Sequence, residues 1–300
     1  MTQPTPQRTG YVALLGRPNA GKSTLLNRFL GQKLSIITRK PQTTRHRILG
    51  IKSLPGAQLL FLDTPGIHHA RKAINAAMMG AARSAIADAD VVVIMVEAGR
   101  PAGEEEALLL QFIEGSRANV VVAINKVDRV RKDAVLPQIA EWSERLPGAA
   151  IVPISALEGD GVNSLEKEIV ARLPEGPALY PEDQLTDLNE RFFVAEIIRE
   201  KIFQLTGEEI PYATAVTIDE FEEVPDRKLA RIQATIYVEK DSQKGIVIGK
   251  GGAKLKEIGT AARLEAERFL GVKVGLKLWV KVDPNWTRDE REVRRLGYNW

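Results

Sequence analysis

The sequence predicts an α/β domain, with a mostly parallel sheet and helices on both faces, followed by a smaller α+β domain. In the first half of the 300 residues, continuous apolar runs such as 91–96 alternate with helical patterns. Unbroken apolar runs are typical of parallel strands buried on both faces. Three prolines and a glycine then interrupt the chain at 174–181. Beyond them the patterns run helix, strand, strand, helix, helix, strand, which predicts one sheet covered by one helical layer.

These observations also set the domain boundaries. We place the first domain at 8–173, a connector at 174–185 and the second domain at 186–300. Prolines stop the preceding helix and stiffen the connector. In the second domain the helical stripe of Val194, Ile198, Ile202 and Leu205 precedes predicted strands at 213–222 and 230–239, and a last strand is predicted at 272–282.

The loop after the first predicted strand carries the pattern G-R-P-N-A-G-K-S at 16–23. Glycines at this spacing let backbone N–H groups surround a phosphate at the positive end of the next helix. Lys22 then reaches the β- and γ-phosphates, and the Ser23 hydroxyl binds Mg²⁺. The alternative is a chance glycine loop, which the strand before and the helix after argue against. The candidate nucleotide residues are Gly16, Arg17, Pro18, Asn19, Ala20, Gly21, Lys22, Ser23 and Thr24.

A second loop, D-T-P-G, follows the predicted strand 59–62. Its aspartate stands where a Mg²⁺ ion needs a further oxygen, and the N–H of its glycine can contact a γ-phosphate whose loss frees the loop. The basic, aperiodic segment 39–47 suits a mobile switch, in which we favour Thr44 over Thr43 as a Mg²⁺ ligand; the alternative is a plain basic loop. The predicted metal ligands are Ser23, Thr44 and Asp63, and the loop adds Asp63, Thr64, Pro65, Gly66 and Ile67 to the nucleotide site.

Two further segments select the base. Asn125, Lys126, Val127 and Asp128 follow the strand 120–124, and the Asp128 carboxylate can accept hydrogen bonds from both N1–H and the amine of guanine. Adenine lacks that donor pair, so ATP is rejected. After the strand 151–154, a backbone N–H of the next tripeptide can meet guanine O6. Each segment alone could be a turn after a strand, but the four in order resemble the GTPase superfamily. That tripeptide is Ser155, Ala156 and Leu157.

A glycine-rich turn between two predicted helices is the functional signal of the second domain. It matches the G-x-x-G loop of KH modules, where a nucleic-acid backbone approaches a turn without side chains and four bases lie in an apolar groove. The alternative is a simple helix junction, with at least one of the isoleucines in the core. The candidate RNA contacts are Lys244, Ile246, Ile248, Gly249, Lys250, Gly251, Gly252 and Lys254.

Charge and composition restrict the remaining possibilities. Residues 227–300 carry 17 Lys and Arg against 9 Asp and Glu, whereas 181–226 carry 3 against 13. This asymmetry suits a polyanion, although solvated surface charge explains such runs more often. The absence of cysteine excludes disulfides and thiolate metal sites. Without a membrane-length apolar run or an export signal, we expect a cytoplasmic protein.

Together, the segments G-R-P-N-A-G-K-S, P-Q-T-T-R-H-R, F-L-D-T-P-G-I-H, N-K-V-D and V-I-G-K-G-G resemble the Era family of bacterial GTPases, which carry a C-terminal type II KH domain. The resemblance extends from Gly10 to about Val282. It implies GTP or GDP with Mg²⁺ as cofactors, and binding to the 3′ end of 16S rRNA during assembly of the small (30S) ribosomal subunit, with no DNA partner. It also implies loose peripheral contact with the inner membrane, for which the sequence offers no cause.

The expected chemistry is slow hydrolysis by a switch protein. Ile67 stands where many GTPases place a glutamine that orients the attacking water. The resemblance implies that Asn19 binds an activating K⁺ ion; the alternative is a residue that merely suits a tight turn. The alternative function is a GTP-regulated adaptor whose KH domain binds protein or membrane, and a metabolic kinase is disfavoured because N-K-V-D has no role there. The predicted catalytic residues are Lys22, Asn19, Thr44 and Gly66.

Overall fold

The computed structural model describes residues 7–38, 40, 42–67, 72–207 and 209–298. These residues form two compact units. The first contains 7–67 and 78–187, and the second contains 72–77 and 188–298. Arg39 and Pro41 of the predicted switch segment, and His68 of the F-L-D-T-P-G-I-H segment, lie outside the described residues.

The first unit is built on a sheet that has six strands in the described part of the chain, in the order β2-β3-β1-β4-β5-β6. All neighbouring strands are parallel except the antiparallel pair β2 and β3, which confirms the predicted mostly parallel sheet. Its strands are β1 (Arg8–Gly16), β2 (Ile48–Leu54), β3 (Ala57–Asp63), β4 (Val91–Glu97), β5 (Asn119–Asn125) and β6 (Ala150–Pro153). Its helices are α1 (Lys22–Leu30), α2 (Ala73–Asp88, of which the first turns belong to the second unit), α3 (Glu104–Ile113), α4 (Leu136–Arg145) and α5 (Val162–Arg172).

The sheet brings the predicted loops together. Strands β1, β3 and β5 end at Gly16, Asp63 and Asn125, each the first residue of a candidate segment, and β6 ends at Pro153, two residues before the fourth segment. In an open parallel sheet, ligands bind outside the carboxyl ends of the strands. The strands are fixed by a core in which Leu15, Ile94 and Ile124, among others, have no solvent exposure.

The second unit has the predicted element order. It contains α6 (Glu190–Leu205), β7 (Ala215–Val224), β8 (Leu229–Val238), α7 (Asp241–Ile248), α8 (Ala253–Leu270), β9 (Lys273–Val282) and α9 (Glu290–Arg295). Strand β8 lies between antiparallel β7 and parallel β9. One side of the sheet packs on the helices, since alternate residues such as Ile232 join Ile198 and Ile258 in one core.

The sequence predicts no element in the tail beyond the last strand, yet the tail is ordered around a tryptophan. Trp286 is fully buried and its Nε1 donates to the Ala213 carbonyl at 2.9 Å. Its ring stacks on that of Tyr298 at 5.8 Å between centroids. The Asp289 carboxylate caps α9 by accepting from the Arg291 amide at 2.8 Å.

The Pro-rich connector is hydrogen-bonded to the first unit, which extends to Asp187. The buried Gln58 side chain accepts from the amides of Leu179 and Tyr180 at 2.8 and 3.0 Å and donates to the Tyr180 carbonyl at 2.8 Å. Further along, the Ile51 amide of the edge strand β2 donates to the Leu185 carbonyl at 2.8 Å. The connector therefore lies along the first unit for most of its length.

Candidate nucleotide and nucleic-acid sites

A cleft of about 720 Å³ opens where the four predicted loops meet. This volume is in the range of small-molecule sites. Gln42 and Thr43 of the predicted switch segment line its wall. Four further residues of the wall belong to no motif and were not predicted from the sequence: Ile36, Ile37, Thr38 and Arg129. The predicted residues in the wall are Pro18, Asn19, Gly21, Lys22, Ser23, Thr24, Thr44, Gly66, Asn125, Lys126, Asp128, Ala156 and Leu157.

The phosphate end of the cleft is formed by the loop before α1. Gly21 has φ 104°, and a Cβ there would lie 2.2 Å from Asn125 Nδ2, so the position requires glycine. The buried Lys22 Nζ donates to the carbonyls of Gly16 and Arg17, both at 3.0 Å. Burial lowers the pKa of Lys22 to about 8, and the charge of Asp63 opposes this shift. A phosphate would supply the counter-charge that this desolvated ammonium lacks.

Oxygen ligands suited to Mg²⁺ meet beside this loop. Ser23 Oγ lies 2.9 Å from Thr44 Oγ1 and donates to Asp63 Oδ2 at 2.8 Å. Burial raises the pKa of Asp63, while hydrogen bonds and the Lys22 charge oppose the shift. Asp63 Oδ1 is buried and has no hydrogen-bond partner among the described residues. Hydroxyl and carboxylate oxygens with an unused acceptor fit a hard divalent cation.

The two threonines of the predicted switch point to different partners. Thr43 Oγ1 lies 2.6 Å from Thr38 Oγ1 and donates to the Lys40 carbonyl at 2.7 Å, whereas Thr44 contacts Ser23. Asp63 has a further neighbour that was not predicted: the buried Ser35 donates to its Oδ2 at 2.7 Å. Ser35 belongs to no motif and gave no signal in the sequence.

The D-T-P-G loop touches the phosphate loop closely. A Cβ on Gly66 would lie 2.6 Å from the backbone nitrogen of Pro18, so only glycine allows this approach. The Ile67 amide donates to the Gly16 carbonyl at 3.2 Å, and its side chain is fully buried. The Thr64 hydroxyl donates to the Leu14 carbonyl at 2.7 Å. Thr64 and Ile67 thus hold the loop, and Gly66 faces the cleft.

The base end of the cleft is held by an asparagine bridge. Asn125 Oδ1 accepts from the Ala156 amide at 2.9 Å, and its Nδ2 donates to the Ala20 carbonyl at 2.7 Å. Asn125 therefore connects the loop that contains Ala20 with the loop that contains Ala156. Asp128 supplies a carboxylate to the same wall of the cleft. Arg28 of α1, which sequence analysis missed, donates from Nε to the Ala156 carbonyl at 2.6 Å.

The side chain of one predicted nucleotide residue points away from the cleft. The Arg17 side chain is buried and turns toward α3, where it pairs with Glu105 and Glu106. Because its guanidinium already has carboxylate partners, Arg17 would contribute to the predicted nucleotide site through its backbone, and that assignment stays a prediction. The other predicted nucleotide residues that lie outside the cleft wall are Gly16, Ala20, Asp63, Thr64, Pro65, Ile67, Val127 and Ser155.

The G-x-x-G turn links α7 and α8. Gly251 and Gly252 have φ 59° and 81°, and a Cβ on either would meet no atom within 4 Å, so this side of the turn is open. Ile246 is 51% exposed, whereas Val247 is buried in the core and Ile248 is half-buried. Lys250 is exposed, while Lys254 already pairs with Glu257 at 2.8 Å. The open turn, Lys250 and Ile246 therefore form the most exposed part of the predicted surface, and Lys244 and Lys254 are half-buried beside it.

No helix in the described ranges is both long and apolar enough to cross a membrane.

The loops at one sheet edge and the open glycine turn define a P-loop GTP-binding protein with a KH-type second domain. Comparisons with known proteins agree. The family model for 50S ribosome-binding GTPases matches residues 11–126, and the KH domain model matches 209–287. GTPase Era of Geobacter metallireducens is 54% identical over 98% of each chain. The chain belongs to the Era family of GTPases.

Two solved structures extend this comparison. A variant of Aquifex aeolicus Era bound to GDP·AlF4⁻ has a TM-score of 0.93 and 44% identity, covering 98% of this chain and 100% of that chain. Era in complex with MgGDPNP and nucleotides 1506–1542 of 16S ribosomal RNA has the same score, identity and coverage.

Proposed function

We propose that this chain binds GTP and GDP with Mg²⁺, hydrolyses GTP slowly, and binds the 3′ region of 16S rRNA to assist assembly of the small ribosomal subunit. One observation carries the proposal. The cleft wall has a lysine and hydroxyl ligands at its phosphate end, and a carboxylate suited to guanine in the same wall. The relative solved with MgGDPNP and 16S nucleotides supports both halves of the proposal.

The catalytic role of these residues is electrostatic. Ser23, Thr44 and Asp63 would hold Mg²⁺, which supplies positive charge to the phosphate oxygens when bound. Lys22 and the loop amides stabilise charge that develops in the transition state, and the Gly66 amide faces the terminal phosphate. The buried Ile67 side chain has no polar atom with which to orient water, which accounts for the slow turnover that we propose.

The Asn19 side chain supports a further proposed cofactor. Asn19 has φ 63° and lines the cleft beside the phosphate loop. Its carboxamide oxygen is suited to a monovalent cation such as K⁺, whose charge would replace that of an arginine finger.

RNA binding is assigned to the turn between α7 and α8. Gly251 and Gly252 leave room for a phosphate backbone, Lys250 supplies positive charge, and Ile246 offers an exposed apolar contact for bases. We further propose that the GTPase and KH modules occupy 8–173 and 186–300, joined by the linker 174–185. The cytoplasm, with peripheral contact to the inner membrane, is the proposed location.

The test uses filter binding of a single-stranded fragment of the 16S 3′ end to the full chain, at rising salt. We expect affinity to fall as salt rises, because counterions compete for phosphate contacts. Lys22→Ala should abolish GTP binding and leave RNA affinity unchanged, since Lys22 and the G-x-x-G turn belong to different units and share no partner in the described structure. GTP hydrolysis without any salt-dependent RNA binding would favour the adaptor function, in which the KH domain binds protein or membrane.

A further inference from the structure

The second residue of the phosphate loop has its side chain turned away from the cleft. The Arg17 residue is only 6% exposed, and its Nε donates to the Glu106 carboxylate. Its Nη1 lies 3.3 Å from Glu105 Oε2, and its Nη2 donates to the Pro101 carbonyl at 3.4 Å. A buried arginine that is paired with carboxylates fixes the position of its segment more firmly than an exposed arginine does, because losing a partner would leave a charge unpaired.

Glu106 is a rigid partner for this arginine. It is 1% exposed and lies in the first turn of α3, where the helix dipole favours a negative charge. Its second carboxylate oxygen accepts from the Gly103 amide at 2.8 Å. Because separate donors hold its two oxygens, the carboxylate cannot rotate without losing one of them.

The paired Arg17 side chain is connected to the predicted phosphate site through the backbone carbonyl of the same residue. The Arg17 carbonyl accepts from Lys22 Nζ at 3.0 Å and from the Ala20 amide at 3.3 Å. Glu106 therefore fixes the side chain of the residue whose carbonyl holds the lysine. We propose that Glu106 is a positioning residue for the phosphate site, acting through Arg17 on Lys22; this inference rests on the proposed nucleotide function.

A purely structural ion pair would behave differently. Breaking a buried pair destabilises the fold because a charge is left without a partner, whereas replacing both partners by apolar residues restores stability. If the pair positions Lys22, that effect is lost both when one partner is removed and when both are replaced. The two roles are thus separable by a variant that is stable and lacks the pair.

The experiment compares GDP with GMP, which lacks the β-phosphate that Lys22 reaches, by competition titration on the full chain with Mg²⁺. Glu106→Gln should lower GDP affinity by roughly tenfold to a hundredfold, the cost of a charge-assisted hydrogen bond, with GMP affinity nearly unchanged. Glu105→Gln is the matched control. Its side chain is 38% exposed and Glu106 remains in place, so both affinities should stay near those of the unaltered chain.

A double variant, Arg17→Met with Glu106→Met, separates positioning from stability. It should melt close to the unaltered chain and keep the reduced GDP-over-GMP preference. The inference would be overturned if folded Glu106→Gln preferred GDP over GMP as strongly as the unaltered chain does. It would also be overturned if the double variant regained that preference. The double variant decides the question if Glu106→Gln does not fold. If the unaltered chain bound neither nucleotide, the proposed nucleotide function would fail as well, and the two failures are thereby distinguished.

Discussion

At the proposed guanine end of the cleft, we expect the Asp128 carboxylate to determine which base is bound. Asp128→Asn should weaken GTP binding and admit xanthosine triphosphate, whose edge offers an acceptor in place of the amine. The preference should change by about 1–3 kcal/mol, the cost of one unpaired polar group. Competition titration between the two nucleotides measures this.

The control for this change is Asp133→Asn, which removes an exposed carboxylate paired only with Arg131 among the described residues. It should leave the preference for GTP intact. An Asp128→Asn variant that still prefers GTP as strongly as the unaltered chain would show that another group reads the base.

Asn19 allows a test of cation-assisted hydrolysis. Because its φ is 63°, Asn19→Gly removes the carboxamide without backbone strain. We expect the unaltered chain to hydrolyse GTP faster in potassium than in sodium at equal ionic strength, and the variant to lose this difference. Phosphate release assays in the two salts provide the measurement. Equal rates in the unaltered chain would instead point to a catalytic group supplied by a partner.

The residues that could be predicted from sequence are those fixed by local spacing. Asp63 is the last residue of a buried strand, and Ser23 follows the glycine loop after another, so a pattern identifies them. Arg28, Ser35 and Glu106 act on loops far away in sequence. Such contacts form only when the chain folds, and no periodicity or motif reveals them.

At the scale of elements, the turn between α7 and α8 is open to a direct test. Lys250→Asp with Gly251→Asp places two carboxylates where the proposed RNA backbone passes. Each lost charge-assisted contact costs about 1.5–3 kcal/mol and repulsion adds to it, so RNA affinity should fall by roughly a hundredfold or more. Filter binding of the 16S 3′-end fragment, beside a melting curve, measures the effect.

Strand β9 offers a control with the same chemistry. Gly275 and Lys277 are exposed, and the intervening Leu276 packs on the core, so the pair faces away from the helical layer. Gly275→Asp with Lys277→Asp makes the same change in charge and should weaken RNA binding far less. Equal losses in the two double variants would mean that net charge, and not the glycine turn, governs binding.

Long elements with strong patterns were predictable, and short ones were not. The strand predicted at 230–239 is observed at Leu229–Val238, since alternating apolar residues fix its register. Helix α9 is six residues long and buries Val293, so its own sequence carries little signal. It is stabilised by packing in the cluster of Trp286 and Tyr298, which is a tertiary effect.

At the scale of the whole molecule, the hydrogen bonds from Gln58 to the connector can be tested for their effect on its stability. Gln58→Ala removes the acceptor of the Leu179 and Tyr180 amides, a loss of about 1–3 kcal/mol per unpaired group. Hydrogen exchange of these two amides should accelerate accordingly. Gln184→Ala, which removes a bond from the connector to the neighbouring Thr186 carbonyl, is the control and should leave both amides protected. Unchanged exchange in Gln58→Ala would mean that other contacts hold the segment.

The change in element pattern and the prolines predicted two domains, but the sequence did not predict which residues belong to each unit in space. Residues up to 187 group with the first unit because Gln58 and Ile51 bind the connector, and the first turn of α2 groups with the second unit. These assignments depend on side-chain and backbone contacts between distant segments. A composition shift along the chain marks only where a regular element stops.

The bond from Ile51 to the Leu185 carbonyl also bears on solubility. Strand β2 is the edge of an apolar sheet, and an uncovered edge is a template for pairing with other chains. The connector covers part of that edge with its own backbone. A chain cleaved or shortened within 174–187 would therefore begin to self-associate through β2 while its nucleotide loops, which lie at the ends of other strands, were still intact.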